Sequence, residues 1–263
     1  MPTQPARGQT HGVHPSPIDD PGLYGRSFAT VYDDWYGDPA AAARIVSVLD
    51  DLAGDGDVLE LGVGTGVVAR RLSTPGLVVG LDASTEMLDA LARADGRPVV
   101  PVHGDMASAH DALHDSGHTS PFDLIYCSHN TFLNLTTIEA QRSCLRDVAA
   151  LLRTGGTFVI ETIVPIDIDE MPAHSVAASG VPTRGVVFIE TTVDARTGLI
   201  DGSHVEVADG AVHVRPWRVL PVTPDALDAM ASEVGLERIE AWADWDRTPF
   251  DGIGIRIAHY RRR

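Results

Sequence analysis

Apolar positions along the chain follow two rhythms. Tyr24, Phe28, Val31, Tyr32, Trp35 and Tyr36 recur at helical i, i+3 and i+4 spacings, and residues 40–53 continue as a second helix that ends at Gly54. Short apolar runs then alternate with helical stretches. Val58–Leu61, 77–81, 99–102, Phe122–Cys127 and 157–163 read as strands. Between them, 67–72, Thr85–Arg93 (capped by Ser84) and 137–152 (stopped by Gly155-Gly156) read as helices. This spacing predicts a doubly wound α/β fold. The rhythm changes at Pro165. Stretches 186–193, 199–207 and 212–220 are β-rich and joined by the turn signals 194–198 and Asp209-Gly210, which predicts a three-stranded antiparallel insertion. A helix over 224–234 follows Thr223. Strands near Leu236–Trp242 and 255–260 then complete a seven-stranded, mostly parallel sheet with an antiparallel last strand.

Residues 1–20 are rich in Pro, Gly and polar side chains and predict a disordered tail. The expected organisation is one α/β domain over 21–165 plus 221–263, with an N-terminal helical lid, and an insertion over 166–220.

Composition removes several chemistries. All 20 basic residues are Arg, so no Lys is present for a Schiff base or a Walker-A loop. A net charge of −17 repels a phosphate backbone, and nucleic acid is not an expected partner. The only two cysteines, Cys127 and Cys144, form no CxxC pair and point to a reducing compartment. No apolar run is long enough for a membrane span, and the N-terminus has no signal pattern. The expectation is a cytoplasmic protein without a membrane partner.

The strongest local signal is Val58-Leu59-Glu60-Leu61-Gly62-Val63-Gly64-Thr65-Gly66, between a strand and a helix. Glycines let the backbone turn sharply and approach a ligand, and the next helix presents free N–H groups. Asp82 ends the following strand, where an acid can accept from ribose hydroxyls. Nicotinamide and flavin fingerprints run G-x-G-x-x-G, whereas this loop runs E-x-G-x-G-x-G.

The loop resembles the first motif of class I S-adenosylmethionine (SAM)-dependent methyltransferases. Gly80–Leu88 as a run, His103-Gly104-Asp105-Met106, Phe122–Cys127 and the passage 151–161 resemble their later motifs in order. The resemblance implies that Gly62, Gly64 and Gly66 approach the amino-acid part of SAM and that Asp82 binds the ribose. It places Ala83 and Met87 beside the adenine, with Asp105 and the Met106 amide on its edge, next to Gly104. Glu60 would organise the loop amides and complement the SAM ammonium.

Acceptor-facing residues are expected at the C-terminal ends of the strands. Ser128, His129, Asn130 and Asn134 follow strand four, beside the expected sulfonium. His is the side chain suited to general-base work near neutral pH, although a backbone-bonded hinge explains His129 equally well. The asparagines could hold a polar acceptor or serve as turn residues.

Tyr24, Tyr32, Trp35 and Tyr36 suit a cation–π lid over a sulfonium, or the packing of an amphipathic helix. The run Ala29–Tyr36 resembles the entry helix of small-molecule methyltransferases, including amino-sugar N,N-dimethyltransferases, which implies that Tyr36 stands near the acceptor. Asn134 lies where that group tends to carry His. The insertion supplies His204, His213, Arg215, Trp217 and Arg218, of which His204 and Trp217, with Trp245 of the last loop, are expected substrate contacts. The insertion itself would serve as an acceptor cover or a homodimer contact.

His110, His114 and His118 share a helical spacing, but Gly117 argues against a common face. No carboxylate cluster follows Cys127, so no metal is expected. The expected activity is methyl transfer from SAM to N, O or C of a small acceptor in secondary metabolism. The alternatives are an NAD(P)-dependent oxidoreductase and a non-catalytic SAM-binding regulator.

Overall fold

The computed structural model describes residues 20–164 and 171–263. Two sheets organise it. The larger has seven strands: β1 (Val58–Leu61), β2 (Val78–Asp82), β3 (Val100–His103), β4 (Phe122–Cys127), β5 (Leu152–Ile163), β10 (Leu236–Trp242) and β11 (Ile255–Arg262). Their order is β10-β11-β5-β4-β1-β2-β3, and β11 alone runs opposite to the other six strands. The order reverses between β1 and β4. That switch point opens a crevice at the C-terminal strand ends.

The second sheet holds β6 (His174–Ser179), β7 (Val186–Asp194), β8 (Leu199–Ala208) and β9 (Ala211–Val219), all antiparallel. It has four strands rather than the expected three. The additional β6 is an edge strand of small residues, HSVAAS, and owes its form to pairing with β7 rather than to its own propensity. Of the expected tail over 1–20, residues 1–19 lie outside the described residues, while Asp20 is ordered, accepting from the Gly22 amide and from Arg26.

Local chemistry sets the helices. α1 (Leu23–Phe28) and α2 (Tyr32–Tyr36) form the aromatic entry as two short pieces. α3 (Pro39–Ala53) starts with Pro in its first turn and with Asp38 Oδ1 accepting from the Ala40 amide at 2.9 Å, and it stops at Gly54, whose φ is 54°. α4 (Thr85–Arg93) is capped by Ser84. The helical reading of 67–72 shrinks to one 3-10 turn, Ala69–Arg71. α5 (Ala109–Asp115) ends before His118, as Gly117 suggested. α6 (Ile138–Leu151) is capped by Thr137 and passes directly into β5 at Leu152, so Gly155-Gly156 is not its stop. α7 (Pro224–Glu233) is capped by Thr223.

Alternating strand residues bury into two clusters, one on each face of the larger sheet: Leu59, Leu61, Ile125 and Phe158 on one face, Val58, Leu124, Tyr126 and Val159 on the other. A third cluster joins the lid to the second sheet. Phe28, Trp35, Met87 and Val187 are buried there, with Tyr24, Tyr32, Tyr36 and Trp217 packed against them. Burial of this aromatic area holds two short helices that would not persist alone.

Candidate active site

A cavity of about 190 Å³ sits over the C-terminal ends of β1 and β2. Its floor is the glycine loop. Gly62, with φ 70°, would place a Cβ 2.2 Å from Thr131 Cγ2, so the loop crosses the turn Thr131–Asn134 closer than any side chain permits. Gly64, with φ 54°, has only Met87 Sδ near a notional Cβ, at 3.8 Å, and its bare face opens into the cavity. Gly66 does not line the cavity. Its absent side chain makes room for Leu91 of α4, whose Cδ1 would lie 2.4 Å from a Cβ.

Asp82 closes β2 and forms one wall. Its Oδ2 accepts from the Gly64 amide at 2.8 Å and its Oδ1 from the Ser84 amide at 2.8 Å. Burial pushes its carboxyl up, against the pull of those amides. Both oxygens keep lone pairs for further donors. Ala83, Met87, Gly104, Asp105 and Met106 line the same side. Asp105 Oδ1 holds the Ala107 amide at 2.9 Å, and His103 Nε2 lies 3.1 Å from the Ala83 carbonyl.

Glu60 lies beneath the loop, 3% exposed. Tyr126 donates its hydroxyl to Oε2 at 2.7 Å, and Ser128 Oγ lies 3.5 Å from Oε1. Burial pushes the Glu60 carboxyl up to about 8, opposed by the Tyr126 hydroxyl and the Ala69 amide.

The lid covers the cavity. Tyr24 and Tyr32 line it, and Tyr24 stacks on Phe28 at 4.4 Å. Asp33 ties α2 to the glycine loop, accepting from Thr65 Oγ1 at 2.5 Å and from Arg70 at 2.8 Å. Gly25 lets α1 lie against the start of α4, because a Cβ there would meet Ser84 Cβ at 2.3 Å. Burial raises the Tyr32 phenol pKa, with Glu60, Tyr36, Asp82 and Glu161 adding to the rise.

The residues after β4 form a second layer. His129 and Asn130 adopt consecutive left-handed conformations, φ 55° and 60°, which side chains other than Gly rarely take. Their strain is offset by bonds. The His129 amide donates to Glu161 Oε2 at 2.9 Å, and the Trp245 indole N–H donates to the same oxygen at 3.2 Å. Ser128 Oγ lies 3.0 Å from His129 Nδ1. Asn134 reaches the cavity wall, while Ser128, His129, Asn130 and Trp245 stand outside it. Trp217 is on the wall. Trp35, Tyr36 and His204 stand behind it in the aromatic cluster.

Sequence reasoning gave no individual role to Asp20, Thr131 and Thr136 on the wall or to Glu161 beside it, and named Arg218 only among the residues of the insertion. Glu161 was findable, since it approaches the C-terminal end of β5 as Asp82 does in β2. Arg218 is paired with Asp201 at 2.5 and 2.8 Å and gave no such signal.

The methyltransferase domain family matches residues 58–156, which contain the loop, Asp82 and Asp105. The CcbJ methyltransferase from Streptomyces caelestis is 30% identical to this chain, with 92% of this chain and 99% of that one covered and a TM-score of 0.81. The chain belongs to the SAM-dependent methyltransferases. This methyltransferase also shares its fold with CalS10, an amino pentose methyltransferase from Micromonospora echinaspora involved in calicheamicin biosynthesis. That pair is 21% identical, with 84% and 90% covered and a TM-score of 0.61. The sugar N-methyltransferase KedS8 from Streptoalloteichus is 18% identical, with 99% and 100% covered and a TM-score of 0.63. No curated protein sequence matches the chain. Among the described residues, no helix is long and apolar enough to cross a membrane.

SAM is the cofactor of this methyltransferase. The residues present fit it: the bare face of Gly64 opens a cradle that a Cβ would fill, and Asp82 stands at its rim with lone pairs to spare.

Proposed function

We propose that this methyltransferase acts on an amine nitrogen of a small-molecule acceptor in secondary metabolism. One observation carries the reading. The Tyr32 hydroxyl, on the cavity wall, lies in the field of the Asp82 and Glu161 carboxyl groups, with Glu60 adding its charge as it ionises through about pH 8. Among the described residues no ion pair neutralises Glu161 or Glu60. That negative potential suits a cationic sulfonium and a cationic amine arriving beside it. It disfavours phenolate and phosphate acceptors, and with the net charge of −17 it disfavours nucleic acid. The fold shared with sugar N-methyltransferases is compatible with it.

Bound SAM supplies an electrophilic methyl group. Gly62 and Gly64 admit its amino-acid part, Asp82 accepts from the ribose, and Asp105 with the Met106 amide holds the adenine edge. Tyr24 and Tyr32 exclude water and orient the acceptor, so alignment supplies much of the rate. An ammonium must lose a proton before it can attack; Glu161 and His129, which stand outside the cavity wall, would receive it. Trp245 and the His129 amide hold Glu161 in place for that.

The test is a panel of small amines, phenols and catechols, read by S-adenosylhomocysteine (SAH) release. Turnover confined to amines supports the reading. Turnover confined to phenols or catechols overturns it.

A further inference from the structure

His204 on β8 contacts neither the glycine loop nor the carboxyl cluster, yet two functional elements meet on its ring. The Trp217 indole donates from Nε1 to His204 Nδ1 at 3.0 Å. On the other side His204 Nε2 lies 3.4 Å from the Tyr36 hydroxyl. An indole N–H can only donate, so Nδ1 must accept and carries no proton. A neutral imidazole then holds its proton on Nε2 and donates it to Tyr36. His204 therefore cannot take a proton from that phenol, and the Tyr36 O–H is left to point elsewhere. The position of the indole is also shaped from below. Gly202 pairs with Trp217 across the strands, and a Cβ there would lie 2.1 Å from Trp217 Cζ2, so the ring lies flat on bare backbone.

Every element packed on the imidazole bears on its charge state. Phe28 of α1 and Trp35 of α2 face it at 5.2 and 5.9 Å. Arg215 of β9, its cross-strand partner, covers the Trp35 ring at 4.9 Å and pairs with Glu206 at 3.0 Å. Burial and the Arg215 charge lower the His204 pKa, which keeps the ring neutral as the indole bond requires.

We infer that His204 is a positioning residue that makes the lid and the far wall of the cofactor cavity one unit. Its Nδ1 fixes the indole of Trp217 on the wall, and its Nε2–H ties α2 to the second sheet through Tyr36. The inference rests on the assignment of the cavity to SAM.

The experiment compares wild type, His204→Gln and His204→Leu by SAH calorimetry and by NMR of 15N-histidine-labelled protein. Gln can accept from Trp217 and donate to Tyr36, whereas Leu can do neither. The expected results are an Nε2–H tautomer in wild type at pH 7, SAH binding weakened about fivefold or more in the Leu variant, which loses both hydrogen bonds, and recovery to within about twofold in the Gln variant. An Nδ1–H tautomer or an imidazolium overturns the inference. So does a Leu variant that binds SAH as wild type does, or a Gln variant no better than Leu. If the Leu variant does not fold, Trp217→Phe keeps the ring and removes the donor. Relaxation of the tautomer preference with weaker SAH binding then supports the inference, and wild-type behaviour in either readout overturns it. Wild type that shows the Nε2–H tautomer but fails to bind SAH overturns the cavity assignment, and the coupling with it.

Discussion

Replacing Glu60 by Gln tests the electrostatic core of the site. The side chain is 3% exposed and meets a phenol, a serine hydroxyl and a backbone amide, but no cation. Its carboxyl rises from the ordinary 4.5 to about 8. The folded state thus binds this proton more tightly than the unfolded state does. The resulting stabilisation is fully present below pH 4.5 and is lost as pH rises through about 8. The rise corresponds to at most about 4–5 kcal/mol. In Glu60→Gln the side-chain amide oxygen would accept the Tyr126 hydroxyl without titrating. Urea unfolding of both proteins at pH 5, 7 and 9 reads the difference directly. Wild type should lose about 2–4 kcal/mol relative to E60Q between pH 5 and 9, since some relaxation accompanies ionisation. A difference that stays flat to about 0.5 kcal/mol would refute the claim that an unpaired carboxyl is buried there.

Three further outcomes follow from the geometry. Gly64→Ala meets no protein atom closer than Met87 Sδ at 3.8 Å, so the variant should fold with a loss of about 1–2 kcal/mol for its left-handed φ. Its SAH affinity should fall at least about tenfold because the methyl enters the cradle; calorimetry showing wild-type affinity counts against the cradle. Asp82→Ala should weaken SAH by about tenfold or more through lost hydrogen bonds to hydroxyls and to the Gly64 amide, and an unchanged dissociation constant rules out its ribose role. Asp228→Ala should lower stability by about 3–5 kcal/mol in thermal melts, because it strands Arg256, 1% exposed and held by both Asp228 oxygens at 2.7 and 2.9 Å. A small shift in melting temperature would show that Arg256 finds another partner.

Much of the larger sheet could be read from sequence because each strand is an apolar run bounded by turn residues, and Ser84, Thr137 and Thr223 mark helix starts by their own chemistry. β6 could not be read that way. Its residues are small and largely exposed, and only the register with β7 makes it a strand. The end of α6 was read to within one residue, but not its cause: Gly155-Gly156 looks like a cap, whereas the chain turns extended at Leu152 to pair with Phe122. The cofactor side of the site was visible because glycine spacing and one acid encode it locally. Gly66 shared that spacing but serves packing, a distinction that only the position of Leu91 reveals. The proposed acceptor side depends on contacts between distant residues: Trp245 with Glu161, and His204 with both Trp217 and Tyr36. No local pattern carries such pairs.

The cavity wall draws on Tyr24, Gly64, Asp82, Asn134 and Trp217, which span most of the chain. No partly folded form that has closed the sheet but not docked its lid can possess it. Ligand therefore binds the finished state alone, and at a hundredfold excess over its dissociation constant should add about 2.7 kcal/mol to stability. SAH titration thus doubles as a gauge of folding quality, reporting the fraction of any preparation in which the lid has met the glycine loop and the second sheet.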